Sequence, residues 1–481
     1  MWWLFFPALA LAGTSPWPAL LDEGDSARVH FGASIGGDTP YARSAQAPFA
    51  PASTAKLLTA GALLAAVGPD FRYVARLRWT ETAPGTASRL TLVGDGDPSW
   101  GLSELGESAR DRFDAMAAAL VNAGVTTVVG EPAAVPSDPR WTAVTIPEGW
   151  KDSDTLSCEG ALASAFNIGL NCATLSVSSP THAQWSDGAV YPVRLSIREA
   201  SSTAISARFA GDAFEITGTW KNGSAPYSFA LPIFDTRAWA ASLLRAALVA
   251  KGVHVVPGIA TRGPARELAF PSRPLAEMLK PFLKNSINVM GDAFLKTLAA
   301  RHGANICGSP PAAPFDDSLL APALVELGAF VRRFADERDF DLHDGSGLSR
   351  TSRLTPALLY RFLEEAPREP WFPTLYDSLP VAGVDGTLRN RMKGTRAEGR
   401  LHAKTGTLDG VYNLAGYVPR AGGGYVPFVI LTDTTSSLAG PAKAAADRVG
   451  ARLAELYTDL ASRWISDPFP FVPEHAGRDD L

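Results

Sequence analysis

The residues best suited to covalent chemistry are a serine and a lysine three positions apart, Ser53 and Lys56. They open an apolar segment without internal proline, Ser53–Ala66, that is predicted to be helical. On a helix this spacing places both side chains on one face, so the amine can reach the hydroxyl. A hydroxyl needs a base to act as a nucleophile, and the pair therefore predicts a serine nucleophile with a lysine base.

A second polar pair, Ser286 and Asn288, lies in a region that is also predicted to be helical. A hydroxyl and an amide at this spacing can relay a proton and hold a substrate carbonyl. Taken alone, the pair is better explained by a solvated polar helix face or loop.

A third polar group lies on a strand predicted just before a hairpin turn, and it consists of Lys404, Thr405 and Gly406. An ammonium and a hydroxyl at a strand edge suit a substrate carboxylate, and a glycine lets a substrate backbone approach closely. The backbone N–H of Thr407 could pair with that of Ser53 as an oxyanion hole. An ordinary polar strand end is the alternative interpretation.

The three groups occur together in this order, each on the type of element expected for it. In this respect the sequence resembles the active-serine penicillin-binding proteins and β-lactamases, whose motifs are S-x-x-K, S-x-N and K-T-G. The separation of Ser53 from Ser286 is about twice that of Ser286 from Lys404. A large insertion between the first two motifs is similar to the class C low-molecular-mass penicillin-binding proteins, the D-alanyl-D-alanine carboxypeptidase/endopeptidase family.

Four longer stretches also resemble sequences of this family: Pro51–Ala60, Gly94–Pro98, Asp344–Arg350 and Leu379–Leu388. The resemblance implies hydrolysis of peptidoglycan peptides through an acyl-enzyme, without a cofactor. Ser53 would attack the carbonyl of the penultimate D-alanine, Lys56 would be the base, and Ser286 would relay a proton to the leaving amine. The substrate-binding residues on the motifs would be Asn288, Lys404, Thr405, Gly406 and Thr407.

In this family, an acid of the insertion and an arginine help to bind the far end of a diaminopimelyl side chain. By position these residues are Asp154 and Arg350. The family motif Gly-Trp-x-Trp-Asp-Asp is kept only in part, as Gly149–Asp154, and Asp152 lies nearby. The choice of acid therefore stays open, and a solvated loop acid is the alternative.

The resemblance implies an α/β fold with a serine β-lactamase/transpeptidase-like catalytic domain at residues 22–83 and 273–481. The region between them, residues 84–272, is rich in Val, Thr and Ser and is predicted to be a mainly β insertion of two subdomains. A single helical segment, Thr236–Lys251, interrupts it.

Two strands, His402–Leu408 and Val411–Tyr417, are predicted to form a hairpin across an Asp-Gly turn. A final helix is predicted from an apolar stripe at helical spacing, with a core-facing role. The residues of this stripe are Val449, Leu453, Leu456, Leu460 and Trp464.

Residues 1–21 carry no charged side chain and contain small-x-small sites at Ala8–Ala10 and Ala10–Ala12, which predicts a secretory signal peptide. An apolar segment packed on the core is the alternative. No other stretch is long and apolar enough to span a bilayer, so we expect a periplasmic or cell-envelope protein without a transmembrane anchor.

Cys158 and Cys172 are spaced to form one disulfide in an oxidising compartment, which leaves Cys307 single. Neither the cysteines nor the histidines match a metal-site pattern. The formal net charge of −5 and the absence of a basic block exclude nucleic acid as an expected partner. The expected partners are peptidoglycan peptides, with β-lactams as covalent inhibitors, and the oligomeric state is left open.

Two alternative functions use the same residues. One is a β-lactamase-like or esterase hydrolase, which the long insertion disfavours. The other is a non-catalytic peptidoglycan-binding or β-lactam-sensing protein, and the complete set of motif residues counts against loss of the catalytic site.

Overall fold

The computed structural model describes residues 15–142, 145–186, 191–259, 262–305 and 319–458. The α-helices of this part of the chain are α1 (Trp17–Leu21), α2 (Lys56–Val67), α3 (Asp111–Asn122), α4 (Asp152–Thr155), α5 (Thr236–Ala250), α6 (Leu275–Lys284), α7 (Asn288–Asn305), α8 (Leu320–Val331), α9 (Pro356–Glu365), α10 (Phe372–Asp377) and α11 (Ala439–Tyr457).

The strands of the same residues form several sheets. They are β1 (His30–Ile35), β2 (Tyr41–Arg43), β3 (Val74–Ala83), β4 (Thr86–Gly94), β5 (Thr127–Val129), β6 (Ala133–Pro136), β7 (Cys172–Ser179), β8 (His182–Trp185), β9 (Val193–Glu199), β10 (Ala204–Ala210), β11 (Ala213–Trp220), β12 (Tyr227–Pro232), β13 (His254–Val256), β14 (Ala265–Pro271), β15 (Phe340–Asp341), β16 (Arg353–Leu354), β17 (His402–Leu408), β18 (Val411–Pro419) and β19 (Tyr425–Asp433).

A five-stranded antiparallel sheet in the order β17-β18-β19-β1-β2 joins the two ends of the described chain. Both of its faces are covered, as alternate residues show. Leu414 and Ile430 are buried in a cluster with α1 and α11, whereas their neighbours Ala415 and Val429 are buried in the cluster that contains α9. Because side chains alternate along a strand, this two-sided burial makes the sheet the middle layer of a helix–sheet–helix sandwich.

The hairpin predicted near the end of the chain is confirmed, with β17 and β18 paired across the Asp409-Gly410 turn. Gly410 has a positive φ of 77°, which suits a glycine. The final helix is confirmed as α11 and buries Val449 and Leu453. Leu460 and Trp464 lie outside the described residues.

Helix α2 is the central helix of the catalytic part, and its residues from Lys56 to Leu64 are all buried. α7 and α8 pack against it. A helix that is apolar on all sides must be enclosed by other elements, so any polar group on it is taken out of water. This burial determines the chemistry of Lys56.

The inserted region contains a six-stranded sheet, in which β13-β5-β4-β3-β14 are neighbours and β6 pairs with β4. It also contains two three-stranded sheets, β10-β11-β9 and β12-β7-β8. The prediction of a single helix in this region is wrong, since α3 precedes the expected α5. Phe113, Met116, Ala117 and Leu120 of α3 are buried at helical spacing, a periodicity that its alanine-rich sequence partly masks.

The boundary expected between residues 83 and 84 divides one sheet, because β3 pairs along its length with β4 and with β14. Strand pairing favours a start of the inserted region at Val74, and the domain boundary stays a prediction. The leader expected at residues 1–21 stays a prediction. Within that range, Trp17 and Leu21 are fully buried against α11. Residues 1–14, with both cleavage motifs, lie outside the described residues.

The predicted disulfide between Cys158 and Cys172 is present, with the two Cα atoms 5.5 Å apart. It joins the segment before β7 to the first residue of that strand. Cys307 lies outside the described residues.

Replacing both bonded cysteines with serine is expected to lower the free energy of unfolding by about 3 kcal/mol, because a closed loop of this length restricts the unfolded chain. Urea unfolding of the oxidised protein and of the double variant measures the difference. Equal stabilities, or free thiols in an unreduced digest of the wild-type protein, would show that the bond does not form.

Candidate active site

The side chain of Lys56 lies at the centre of the site and is fully buried. Its Nζ donates hydrogen bonds to Ser53 Oγ at 2.9 Å, to Asn288 Oδ1 at 2.7 Å and to the carbonyl oxygen of Ser346 at 2.6 Å. The acceptors come from the turn before α2, the start of α7 and the loop between β15 and β16. One amine therefore joins the first two predicted motifs and a backbone carbonyl.

The segment that carries Ser53 is a short 3-10 turn, Ala52–Ala55, that leads into α2. Asn413 on β18 fixes the residues before it, since its Nδ2 donates to the carbonyl oxygens of Ala50 and Pro51, each at 2.9 Å. This contact could not be predicted from the sequence, because Asn413 is a single polar residue on an otherwise apolar strand.

Ser286 lies in a break between α6 and α7, and not within a helix as predicted. Its φ of 62° is in the left-handed region, which interrupts the helical hydrogen bonding. Lys404 Nζ donates to Ser286 Oγ at 2.9 Å and to the carbonyl oxygen of Thr405 at 2.9 Å. The break thus brings the second motif into contact with the third.

Strand β17 is an edge of the five-stranded sheet. The N–H of Ala403 points away from β18, since it donates to the carbonyl oxygen of Pro380 at 3.0 Å. Backbone groups alternate in direction along a strand, so the N–H groups of Thr405 and Thr407 also point to the free edge. Thr405 Oγ1 donates to Thr387 Oγ1 at 2.8 Å, which holds this hydroxyl at the same edge.

The glycine of the third motif packs against the protein's own chain. A Cβ atom on Gly406 would lie 2.7 Å from the carbonyl oxygen of Pro51 and 3.2 Å from the Cβ of Ala52. The missing side chain therefore lets β17 approach the turn that carries the nucleophile. The predicted approach of a substrate backbone to this glycine stays a prediction.

Burial lowers the pKa of Lys56 to about 8, although the charges of Asp344, Asp292 and Glu159 act in the opposite direction. Burial and the charge of Lys56 also hold the pKa of Lys404 well below its ordinary value. A lysine with a pKa near 8 supplies a useful fraction of neutral amine at physiological pH, which is what a general base requires.

The loop that supplies the Ser346 carbonyl is organised by the buried side chain of Asp344. Its oxygens accept hydrogen bonds from the backbone N–H groups of Gly347 and Ser349, each at 2.6 Å, and from Trp150 Nε1 at 2.8 Å. Trp150 belongs to the inserted region, so one carboxylate links the insertion to the loop that contacts Lys56.

Asp292 is a second buried acid beside the site, and the sequence analysis missed it. Its Oδ1 accepts the backbone N–H of Gly345 at 2.8 Å. Burial, with a further contribution from the charge of Asp344, raises the pKa of Asp292 to about 7. Asp292 is one turn after Asn288 and one turn before the buried Lys296 on α7, and this spacing of polar residues was a detectable signal.

The structure brings Asp154 and Arg350 together. Arg350 donates to the carboxylate through two nitrogens, Nη1 to Oδ2 at 2.6 Å and Nη2 to Oδ1 at 3.2 Å. Burial opposes ionisation, but the hydrogen bonds from Arg350 and from the Lys151 N–H hold the pKa of Asp154 below its ordinary value. Asp152 is exposed on α4, so Asp154 is the acid that pairs with the arginine.

A cavity of about 280 Å³ lies over the nucleophile. It is lined by Ser53, Glu159, Asn285, Ser286, Asn288, Gly347, Leu348, Thr387, Thr405, Thr407 and Leu408. The described residues contain no group of three His, Cys, Asp or Glu side chains that could hold a metal ion. No helix among them combines the length and apolarity needed to cross a membrane.

One serine is hydrogen-bonded to a buried lysine, and a second serine is hydrogen-bonded to a lysine on an edge strand. This arrangement defines an active-serine acyl-transfer enzyme of the S-x-x-K, S-x-N, K-T-G class. A model of the D-Ala-D-Ala carboxypeptidase 3 (S13) family matches residues 34–453. The chain therefore belongs to this family, which confirms the family, the fold class and the kind of enzyme predicted from the motifs.

Individual relatives agree with this assignment. The D-alanyl-D-alanine carboxypeptidase of Actinomadura sp. (strain R39) is 32% identical over 455 residues, covering 87% of this chain and 79% of that protein. The D-alanyl-D-alanine carboxypeptidase DacB of Haemophilus influenzae is 28% identical over 225 residues, covering 45% of this chain and 44% of that protein. The crystal structure of penicillin binding protein 4 from Haemophilus influenzae has the same fold, with a TM-score of 0.72 and 21% sequence identity. The match covers 92% of this chain and 100% of that chain.

The rate at which penicillin acylates Ser53 is expected to rise with pH, because only the neutral amine of Lys56 can accept the serine proton. The midpoint should lie near pH 8. Second-order rate constants for labelling by a fluorescent penicillin, measured from about pH 6 to about pH 9, check this. A rate that does not change across this range would show that the lysine is not the base.

Proposed function

We propose that this protein hydrolyses peptidoglycan stem peptides and cross-links as a serine D-alanyl-D-alanine carboxypeptidase/endopeptidase, and that penicillins acylate the same serine. The observation that carries the proposal is the contact of one buried amine, Lys56 Nζ, with both Ser53 Oγ and Asn288 Oδ1. This contact couples the base to the nucleophile and to an amide that can orient a substrate. It also argues against a protein that only binds peptidoglycan.

In the acylation step, Lys56 accepts the proton of Ser53 Oγ while this oxygen attacks the carbonyl carbon of the penultimate D-alanine. The developing oxyanion accepts hydrogen bonds from the backbone N–H groups of Ser53 and Thr407. The outward direction of the Thr407 N–H on an edge strand supports this role. Asn288 Nδ2 donates to the backbone at 2.9 Å and steadies the amide.

The leaving D-alanine takes its proton from Ser286, which Lys404 holds through the 2.9 Å contact. The terminal carboxylate of the substrate binds Lys404 and the hydroxyl of Thr405. Because burial and Lys56 lower the pKa of Lys404, an incoming carboxylate stabilises its ammonium form and promotes proton delivery through Ser286.

We also propose that the protein is secreted across the cytoplasmic membrane. The Cys158–Cys172 disulfide supports an oxidising compartment. The uncharged N-terminal segment supports export, with cleavage before the buried helix α1. Peptidoglycan, the proposed substrate, lies outside that membrane.

Ser53→Ala is expected to abolish both penicillin labelling and release of D-alanine, because no other hydroxyl touches the Lys56 amine within the described residues. The circular dichroism spectrum should not change, since the half-buried serine packs little of the core. Mass spectrometry after incubation with penicillin measures the adduct. A folded Ala variant that still gains the mass of penicillin would remove Ser53 from the mechanism.

A second cavity supports a site for the far end of a diaminopimelyl side chain. It also measures about 280 Å³, and Leu408 lines both this cavity and the one over Ser53. Arg350 borders the second cavity, together with the charged side chains of Lys151, Arg353, Asp409 and Asp433. Charges of both signs suit a group that carries a free amine and a free carboxylate.

Asp154→Ala and Arg350→Ala are each expected to lower kcat/KM for a diaminopimelyl substrate about ten- to a hundredfold, since each removes a charge-assisted hydrogen bond of about 1.5–3 kcal/mol. A simple acyl-D-Ala-D-Ala peptide does not reach the second cavity and should lose little. Asp152→Asn is the control, because Asp152 is an exposed acid of the same short helix, α4. Equal losses on the two substrates would mean that the ion pair supports the fold.

A further inference from the structure

The inserted region delivers one carboxylate to the catalytic cavity, that of Glu159. This residue lines the cavity together with Ser53, Ser286 and Asn288. It is exposed to solvent. Among the described residues, its side chain has no hydrogen bond and no ion pair, and it is the one carboxylate that lines the cavity. The mechanism proposed above gives it no role.

The backbone of Glu159 is fixed relative to the nucleophile. Its carbonyl oxygen accepts a hydrogen bond from Asn288 Nδ2 at 2.9 Å, and the other end of that amide is bonded to the Lys56 amine. The preceding residue is one partner of the disulfide. The position of this residue is therefore coupled to the base of the first step.

The residues that follow are also anchored on α7. Ala161 and Ala163 are buried in a small cluster with Val289 and Ala293. The buried Lys296 donates to the carbonyl oxygen of Ala163 at 2.9 Å. These contacts hold the backbone from which the Glu159 side chain extends, and this fixes where the side chain enters the cavity.

The negative charge of Glu159 also raises the pKa of Lys56, whereas burial lowers it. A second amine of the site, that of Lys404, contacts Ser286, which lines the same cavity. Neither amine bonds to the carboxylate. Among the described residues, the Glu159 carboxylate is thus a free hydrogen-bond acceptor that is open to water and lines the same cavity as Ser53.

We propose that the Glu159 carboxylate is the general base that activates water for hydrolysis of the acyl-enzyme. This inference rests on the proposed function, because it requires an ester on Ser53. The carboxylate accepts one proton from water, and the oxygen of that water forms a bond to the ester carbonyl carbon. The tetrahedral intermediate collapses with cleavage of the bond to Ser53 Oγ, and the proton passes from Glu159 to this oxygen. The acid product leaves, and the proton that Lys56 took up during acylation passes through solvent to Lys404, which restores the starting enzyme.

Lys56 is the rival base, and the dependence on pH separates the two. If Lys56 is not the base of this step, the deacylation rate should show no rise with a midpoint near pH 8. A lysine base predicts a rate that rises with a midpoint near pH 8. Whichever group is the base for deacylation, the acylation rate should rise with a midpoint near pH 8.

Glu159→Gln keeps the shape of the side chain and removes the base. We expect penicillin to acylate this variant within about threefold of the wild-type rate, while deacylation slows about a hundredfold or more. Glu159→Asp should retain part of the deacylation rate, and Asp152→Asn should behave as wild type. Acylation is followed with a fluorescent penicillin, and deacylation by loss of the protein-bound label after free label is removed.

Deacylation of Glu159→Gln at the wild-type rate, or a wild-type deacylation rate that rises near pH 8, would overturn the inference in favour of Lys56. Equal loss of acylation and deacylation would show that the residue supports the cavity and is not a base for water. A wild-type protein that forms no acyl-enzyme would instead refute the proposed function, and this inference with it.

Discussion

The structure depends on the burial of one amine. Lys56 is fully enclosed on a helix that is otherwise apolar, and its three hydrogen bonds offset part of the free energy that burial of an ammonium costs. The remaining cost favours the neutral form, which lowers the pKa of this lysine to about 8. Burial thus favours the neutral amine that the proposed role of Lys56 as the base for Ser53 requires.

The three acceptors of this amine belong to segments that the rest of the fold holds in place. Asn413 on the central sheet fixes the turn before Ser53. Asp344 organises the loop that supplies the backbone carbonyl, and it binds Trp150 of the inserted region at the same time. The insertion therefore stabilises the catalytic centre, and through Glu159 it also contributes a side chain to the cavity.

The motifs, the fold class and the β17–β18 hairpin could be predicted because each leaves a local signal in the sequence. The contacts of Asn413, Asp292 and Thr387 could not be predicted, because each contact joins residues that are distant along the chain. The left-handed backbone of Ser286 was missed for a different reason. The surrounding residues have good helical periodicity, and the contact with Lys404, more than a hundred residues away, accompanies the break.

The proposed effect of burial, a Lys56 amine of moderate pKa, can be measured without any substrate. Protein labelled with ¹³C at the lysine ε-carbons allows titration of the individual amines by NMR, and Lys56→Met identifies the resonance. We expect the Lys56 amine to titrate with a midpoint near pH 8. A midpoint at the ordinary lysine value of about 10.4 would show that this amine stays charged and is not the base.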